Sequence, residues 1–383
     1  MNLPAAVRTV PSARPGVFII AEAGVNHNAD LSLALRLVDA AAAAGADAIK
    51  FQTFKSAELV SRQAAKADYQ RLTTGGDESQ LEMIRKLELD WPSHHRLVAH
   101  CQAVGIPFLS APFDLSSLAF LVEDLQLERI KIPSGEITNA PLLWRAAASG
   151  RQLVLSTGMA SLGEVEQALA VLACGYLGRS PSADSFEAAY LSEEGQRRVR
   201  ERVVLLHCTS AYPAPFESVN LRAMDTLASA FALPVGLSDH SPGIVMPIAA
   251  VARGAVVVEK HFTLDRGLPG PDHLASLEPA ELAEMVAAIR AVEVALGDGC
   301  KRPAVAELKN RDVVRKRLVA LTDIAAGSPF TEANLGAKRP GNGVSPMAYW
   351  QWLGRRATRD YQADQPLDET PGRDAEPPSG ISL

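Results

Sequence analysis

His240 and His261 are the two residues of this chain whose type and placement point most directly to chemistry. Each closes a short apolar run, PVGLSDH (234–240) and VVVEKHFT (256–263). Side chains alternate along a strand, so Ser238 and His240 face one way, as do Glu259 and His261. Where the two runs are neighbouring strands, both imidazoles finish at one edge, beside Asp239 and Glu259. Such a pair can hold one divalent metal ion and leave coordination positions open for water and substrate, as a catalytic metal requires. His207 lies one run earlier and deeper, and is read as structural. Lys50, Lys131, Ser134, Ser156 and Ser238 form a second group, also at the ends of apolar runs. Lysine point charges with hydroxyl donors suit a phosphate or carboxylate. A third group is carboxylic: Glu22 and Glu136 could orient hydroxyls or move a proton. The same lysines leave a rival open, a Schiff-base aldolase with Lys50 or Lys131 as nucleophile.

Eight apolar runs must position these groups: FIIAEAG (18–24), DAIKFQTF (47–54), PFLSAPF (107–113), RIKIPSGE (129–136), LVLSTG (153–158), VVLLHCTS (203–210) and the two already named. They have the length and composition of strands buried on both faces. Ala- and Leu-rich stretches of helical period separate them. Strand followed by helix, eight times over, predicts an α/β fold of the (β/α)8 TIM-barrel type, whose active site sits where the strands end. The first helix is expected from Leu31, with Asp30 as N-cap and Gly45 as its stop. The long connection 55–105, with its polar patch TTGGDESQ (73–80), is more than scaffolding needs and is expected over the barrel mouth. A second insertion, 178–201, carries charges read as a solvated helix face.

The domain plan read from the sequence is a loose arm over 1–16, a barrel over 17–298, a basic linker over 299–316, a small β-rich domain over 317–367 and a disordered tail over 368–383. In the small domain Ser345 and Pro346 begin one short helix. Net charge is −6 with no long basic block, which argues against a nucleic-acid partner. No apolar run is long enough for a membrane span, and the first residues do not read as a signal peptide. The 4 cysteines are scattered with no CxxC, as expected of reduced thiols in a cytoplasmic protein.

IIAEAGVNHN (19–28), IKFQTF (49–54), KIPSGE (131–136), LSTGM (155–159), HCTSAYP (207–213), GLSDHS (236–241) and EKHFTLDRGLPGPDH (259–273) together resemble the sialic acid synthase family. KRPGNGVSP (338–346) resembles that family's C-terminal antifreeze-like (SAF, β-clip) domain. The resemblance implies condensation of phosphoenolpyruvate with an N-acylated hexosamine to a nine-carbon 2-keto acid and phosphate. By the same resemblance, Lys50, Lys131, Ser134, Ser156, Ser210 and Ser238 hold phosphoenolpyruvate. His240 and His261 bind Mn2+, or alternatively Mg2+ or Co2+. Glu22, Gln52, Glu136, Tyr212 and Asp272 contact the open-chain sugar, with Glu136 the preferred proton-handling residue. Arg339 reaches the N-acyl group from the other subunit of a domain-swapped homodimer. Two positions depart from the family pattern: Ala111 stands where a threonine commonly helps hold phosphate, and Ser210 where some members place an asparagine. The acceptor expected from this resemblance is N-acetylmannosamine, giving N-acetylneuraminic acid. The alternative is a 2,4-diacetamido-6-deoxymannose, giving a legionaminic acid, with a pseudaminic acid synthase behind it.

Overall fold

The computed structural model of the chain describes residues 16–67, 70–71, 74 and 78–367. The arm expected over 1–15, the tail over 368–383 and most of the polar patch at 73–77 lie outside the described residues. The rest divides into two compact units, with the break between Gly297 and Asp298.

In the first unit the eight apolar runs become eight strands: β1 (Phe18–Gly24), β2 (Ala48–Thr53), β3 (Phe108–Pro112), β4 (Arg129–Ile132), β5 (Gln152–Ser156), β6 (Val203–Cys208), β7 (Val235–Asp239) and β8 (Val257–His261). They pair in parallel in the order β3-β2-β1-β8-β7-β6-β5-β4. β3 and β4 lie side by side without a ladder of their own, bringing the sheet round on itself as a barrel. Both strand faces are apolar because both are covered. One set of alternate residues, with Phe18, Ile20, Val154, Leu206 and Val257, fills the barrel interior. The other set, with Ile19, Phe51, Ile130, Leu205 and Val258, packs against the helices. Toward the C-terminal strand ends, the interior set turns from apolar to polar: Ile20 gives way to Glu22, Val257 to Glu259 and His261.

Local signals set the helix ends. Asp30 accepts a hydrogen bond from Ser32 N–H and begins helix Leu31–Ala43, as expected. Ser161 and Glu164 form a capping box before helix Leu162–Tyr176. The insertion at 178–201 supplies helices Ala183–Tyr190 and Glu193–Arg202, the latter with Arg197 bridging Glu194 and Glu201 on an exposed face. In the second unit β9 (Arg317–Ala320) and β10 (Leu335–Lys338) pair antiparallel, over a core that includes Leu318, Phe330, Trp352 and Tyr361. Ser345 Oγ caps the short turn Pro346–Ala348. The segment expected as a linker is not plain coil: it carries helix Val305–Val314, exposed on all sides, because its Ala, Glu, Lys and Arg residues are good helix formers.

Candidate active site

The polar ends of the strands surround a cavity of about 680 Å³ at the C-terminal mouth of the barrel. That volume is in the range of small-molecule sites. Glu22 from β1, Lys50 and Gln52 from β2, Ser156 from β5, Ser238 from β7 and His261 from β8 all line it. So do Lys131, Ser134, Ser210, Tyr212, His240 and Asp272, from other strands or the loops just after them. Two expected residues are not in this lining. Glu136 sits half-buried on the turn Ser134–Glu136, its Oε2 2.6 Å from Asn139 Nδ2, and does not line the cavity. Arg339 is exposed directly after β10 in the second unit.

Glu259 is the hub of the floor, and the sequence reading gave it no role. Its Oε1 accepts from Lys131 Nζ at 3.0 Å and from Ser238 Oγ at 2.8 Å. Its Oε2 lies 3.7 Å from Lys50 Nζ, and Lys50 Nζ is 2.7 Å from Glu22 Oε1. The signal for Glu259 was present, since it shares the inner face with His261. Only the closed barrel brings Lys131, from the opposite side, onto it.

Two buried carboxylates share two lysines, and their environments separate them. Burial raises Glu22 from the ordinary carboxylate range up to about 7, against the pull of Lys50. Burial acts on Glu259 too, but Lys131, Lys50 and Ser238 outweigh it and hold its carboxyl well below the usual range. Of the two, Glu22 is therefore the carboxyl that takes up a proton more readily. Lys50 is held above its ordinary value: burial opposes its charge, and Glu22 and Glu259 more than restore it. A Schiff-base nucleophile needs a neutral amine, so this environment disfavours the aldolase alternative for Lys50. Burial also lifts Asp272 to about 6.

The imidazoles meet as the sequence implied. The His240 and His261 rings are 5.3 Å apart between centroids, and Tyr212 packs on both, at 4.2 and 5.6 Å. His240 Nδ1 donates to Thr209 O at 2.9 Å, which leaves Nε2 as the free donor atom. His261 is held well below its usual value by burial, hence neutral, and its buried Nδ1 has no hydrogen-bond partner. Two oriented imidazoles, one of them with an orphaned nitrogen, fit a divalent ion. Among the described residues no three His, Cys, Asp or Glu side chains form a complete cage, so the protein offers a pair and leaves the remaining positions open. His207, by contrast, is tied through Nε2 to Val219 O at 2.6 Å, a structural bond.

Two glycines let these groups approach. A Cβ on Gly158 would collide with Ser210 Oγ and Ser134 Oγ, and its N–H donates to Ser134 Oγ at 3.0 Å. Gly24, at φ +53°, lies where a Cβ would press on Glu22 Oε1 and Gln52 Nε2. Ala111 lines the cavity with a bare methyl. The outer wall differs from this polar floor. Leu59, Val60, Ala64, Met83, Ile84 and Leu87, all from the connection between β2 and β3, line that side with apolar atoms, and Ser61, Gln70 and Gln80 of the same connection stand among them. The sequence reading placed this connection over the mouth, as found, but named none of its apolar residues, which carry no chemical signature.

Comparison with known proteins accounts for this arrangement. The NeuB family matches residues 37–301, and the SAF domain matches residues 315–370. N,N'-diacetyllegionaminic acid synthase of Campylobacter jejuni is 50% identical over 351 residues, 92% of this chain and 98% of that protein. The synthase of the same name from Legionella pneumophila is 45% identical, over 91% of this chain and 93% of its own length. A crystal structure of N-acetylneuraminic acid (sialic acid) synthetase from Leptospira borgpetersenii, in complex with citrate, superposes with a TM-score of 0.62 at 36% identity, covering 78% of this chain and 92% of that one. A barrel whose strand ends gather two buried lysines, paired carboxylates and two imidazoles, followed by a SAF domain, thus belongs to the NeuB family and is a phosphoenolpyruvate-dependent sugar-acid synthase.

Proposed function

We propose that the protein is an N,N'-diacetyllegionaminic acid synthase, joining phosphoenolpyruvate to open-chain 2,4-diacetamido-6-deoxymannose with release of phosphate. The observation that carries this reading is the 50% identity, over almost the whole length, to the Campylobacter jejuni synthase of that name. The cavity supports it: an acceptor ending in a methyl group packs on Leu59, Met83, Ile84 and Leu87 of the wall, whereas a terminal hydroxyl gains nothing from those four side chains. N-acetylmannosamine, the acceptor expected from the sequence, carries that hydroxyl and takes second place.

Lys50, Lys131, Ser134, Ser156, Ser210 and Ser238 bind the phosphate and carboxylate of phosphoenolpyruvate, displacing part of the floor's internal ion pairing. His240 and His261 hold a divalent ion, with Mn2+ the first choice, which when bound supplies Lewis-acid polarisation of the sugar aldehyde. The enol carbon of phosphoenolpyruvate attacks the aldehyde carbon, and Glu22, whose carboxyl burial raises to about 7, gives a proton to the new hydroxyl oxygen. Water then adds at the phosphate-bearing carbon, and C–O cleavage releases phosphate and leaves the 2-keto acid. Lys50 and Lys131 neutralise the anionic groups throughout. Gln52, Tyr212 and Asp272 orient the sugar. The burial of Glu22, and the absence of Glu136 from the cavity lining, move the proton-handling role to Glu22. From the family resemblance, Arg339 reaches the N-acyl group from the partner subunit of a homodimer. No helix among the described residues is long and apolar enough to cross a membrane, which accords with work in the cytoplasm.

The test is phosphate release from phosphoenolpyruvate and Mn2+ with a panel of hexosamines. A kcat/KM for 2,4-diacetamido-6-deoxymannose about tenfold or more above that for N-acetylmannosamine is expected. Equal values would overturn the named acceptor and keep the reaction; no phosphate release with any sugar would overturn the reaction.

A further inference from the structure

The inner faces of β7 and β8 carry the chemistry, but their outer faces hold an ion pair that the reaction does not use. The strands pair with Ser238 opposite Glu259 and Asp239 opposite Lys260. The first pair meets inside the barrel, Ser238 Oγ to Glu259 Oε1. The second points the other way, toward the helices. Lys260 Nζ lies 2.6 Å from Asp239 Oδ2, and both side chains are shut off from solvent at 0% and 1% exposure. Lys260 Nζ also donates to Ser241 O, and Ser241 N–H donates to Asp239 Oδ1 at 3.0 Å. His240 stands between the two residues held this way, and His261 directly follows the lysine that holds them.

We propose that Asp239 and Lys260 are positioning residues that fix the spacing of the two metal-binding imidazoles. A fully buried ion pair is weak support for stability, because desolvation offsets most of its attraction. Its geometry, however, is specific. The Asp239 carboxylate accepts from the residue after His240, so the backbone cannot rotate at 239–241 without breaking that bond. Lys260 ties the same segment to the strand that carries His261. From the inside, His240 Nδ1 is held by Thr209 O, and the main chain at His261 is fixed by Leu277 N–H donating to its carbonyl at 2.9 Å. The clamp supplies the remaining constraint, between β7 and β8. Partners that orient metal ligands from behind are typically worth about ten- to a hundredfold in metal affinity.

This inference rests on the reading of His240 and His261 as the metal pair, and the experiment separates the two. Mn2+ alone is titrated into the full-length protein, with free ion followed by electron paramagnetic resonance, for Lys260→Met, Asp239→Asn/Lys260→Met, Lys260→Arg and His240→Ala. Circular dichroism melts accompany each titration, and phosphoenolpyruvate affinity is measured separately without metal. The double variant leaves no lone buried charge and guards against simple misfolding of the single one. A folded Lys260→Met or double variant is expected to lose about ten- to a hundredfold in Mn2+ affinity, with phosphoenolpyruvate affinity within about threefold and partial recovery in Lys260→Arg. Mn2+ binding at the native affinity in a folded double variant, with loss in His240→Ala, would overturn the clamp alone. Native Mn2+ binding in His240→Ala would overturn the metal pair and the clamp with it.

Discussion

The floor and the outer wall of one cavity are built by opposite means. The floor draws its groups from strands all round the barrel, with Glu22, Lys50, Lys131 and Glu259 each 4% exposed or less and bound to one another by charge. The wall comes from a single connection between β2 and β3 and is mostly apolar, with Ser61, Gln70 and Gln80 among its residues. A shift of one residue in strand register would turn every floor group away from the cavity, so the floor is as fixed as the barrel itself. The wall can change without disturbing any strand. On the proposed function, reaction chemistry is thereby locked into the scaffold, and acceptor choice is left to a loop.

That division is open to attack, beginning where the effect is largest. Stripping divalent ions with a chelator should abolish phosphate release, and Mn2+ should restore it; full turnover in metal-free protein would remove the imidazole pair from the floor's chemistry. Lys131→Met should lower kcat/KM for phosphoenolpyruvate by about a thousandfold, since a charge-assisted contact to the anion and a partner of buried Glu259 vanish together. The acceptor KM should move far less, and equal losses in both would blur floor into wall.

A smaller effect probes what supports the floor from behind. His27, wholly buried against Phe51, accepts from Ala29 N–H at Nδ1, and its Nε2 has no partner. Burial drives it from its ordinary value down to about 3. The unfolded imidazole takes its proton near pH 6.5, so between there and about 3 the unfolded state binds more protons and stability falls as pH drops. His27→Gln should flatten that slope by a few kcal/mol over the window in denaturant titrations, leaving the slope above pH 6.5 unchanged. A slope identical to that of the native protein would show the acid sensitivity to lie elsewhere. The smallest change is expected at the wall. Ile84→Ser or Leu87→Ser should shift the ratio of kcat/KM between the 6-deoxy acceptor and N-acetylmannosamine about tenfold toward the latter, with phosphoenolpyruvate kinetics untouched. A wall substitution that instead altered phosphoenolpyruvate binding would break the comparison.

Much of the floor was legible in the sequence because its determinants are local. Strand alternation puts Ser238 with His240 and Glu259 with His261, and the recurrence of polar endings on apolar runs needs only a barrel to become a ring. Glu136 shows the limit of that logic: it ends the KIPSGE run as plausibly as Glu22 ends its own, yet the turn at Ser134–Glu136 carries it out of the lining and onto Asn139.

What the sequence by itself determined, then, is the set of elements and which side chains share a face: eight buried strands, capped helices, a second small unit and the residue types at each strand end. These follow from backbone periodicity and capping, which act over a few residues. Only the tertiary structure decided which faces meet. Closure of the barrel brought Lys131 across to Glu259, burial raised the Glu22 carboxyl while the lysines lowered that of Glu259, the pairing of β7 with β8 joined Asp239 to Lys260, and the β2–β3 connection placed a mostly apolar wall beside a charged floor. Each depends on distance between parts remote in the chain and on how much water remains there, quantities that no local pattern encodes.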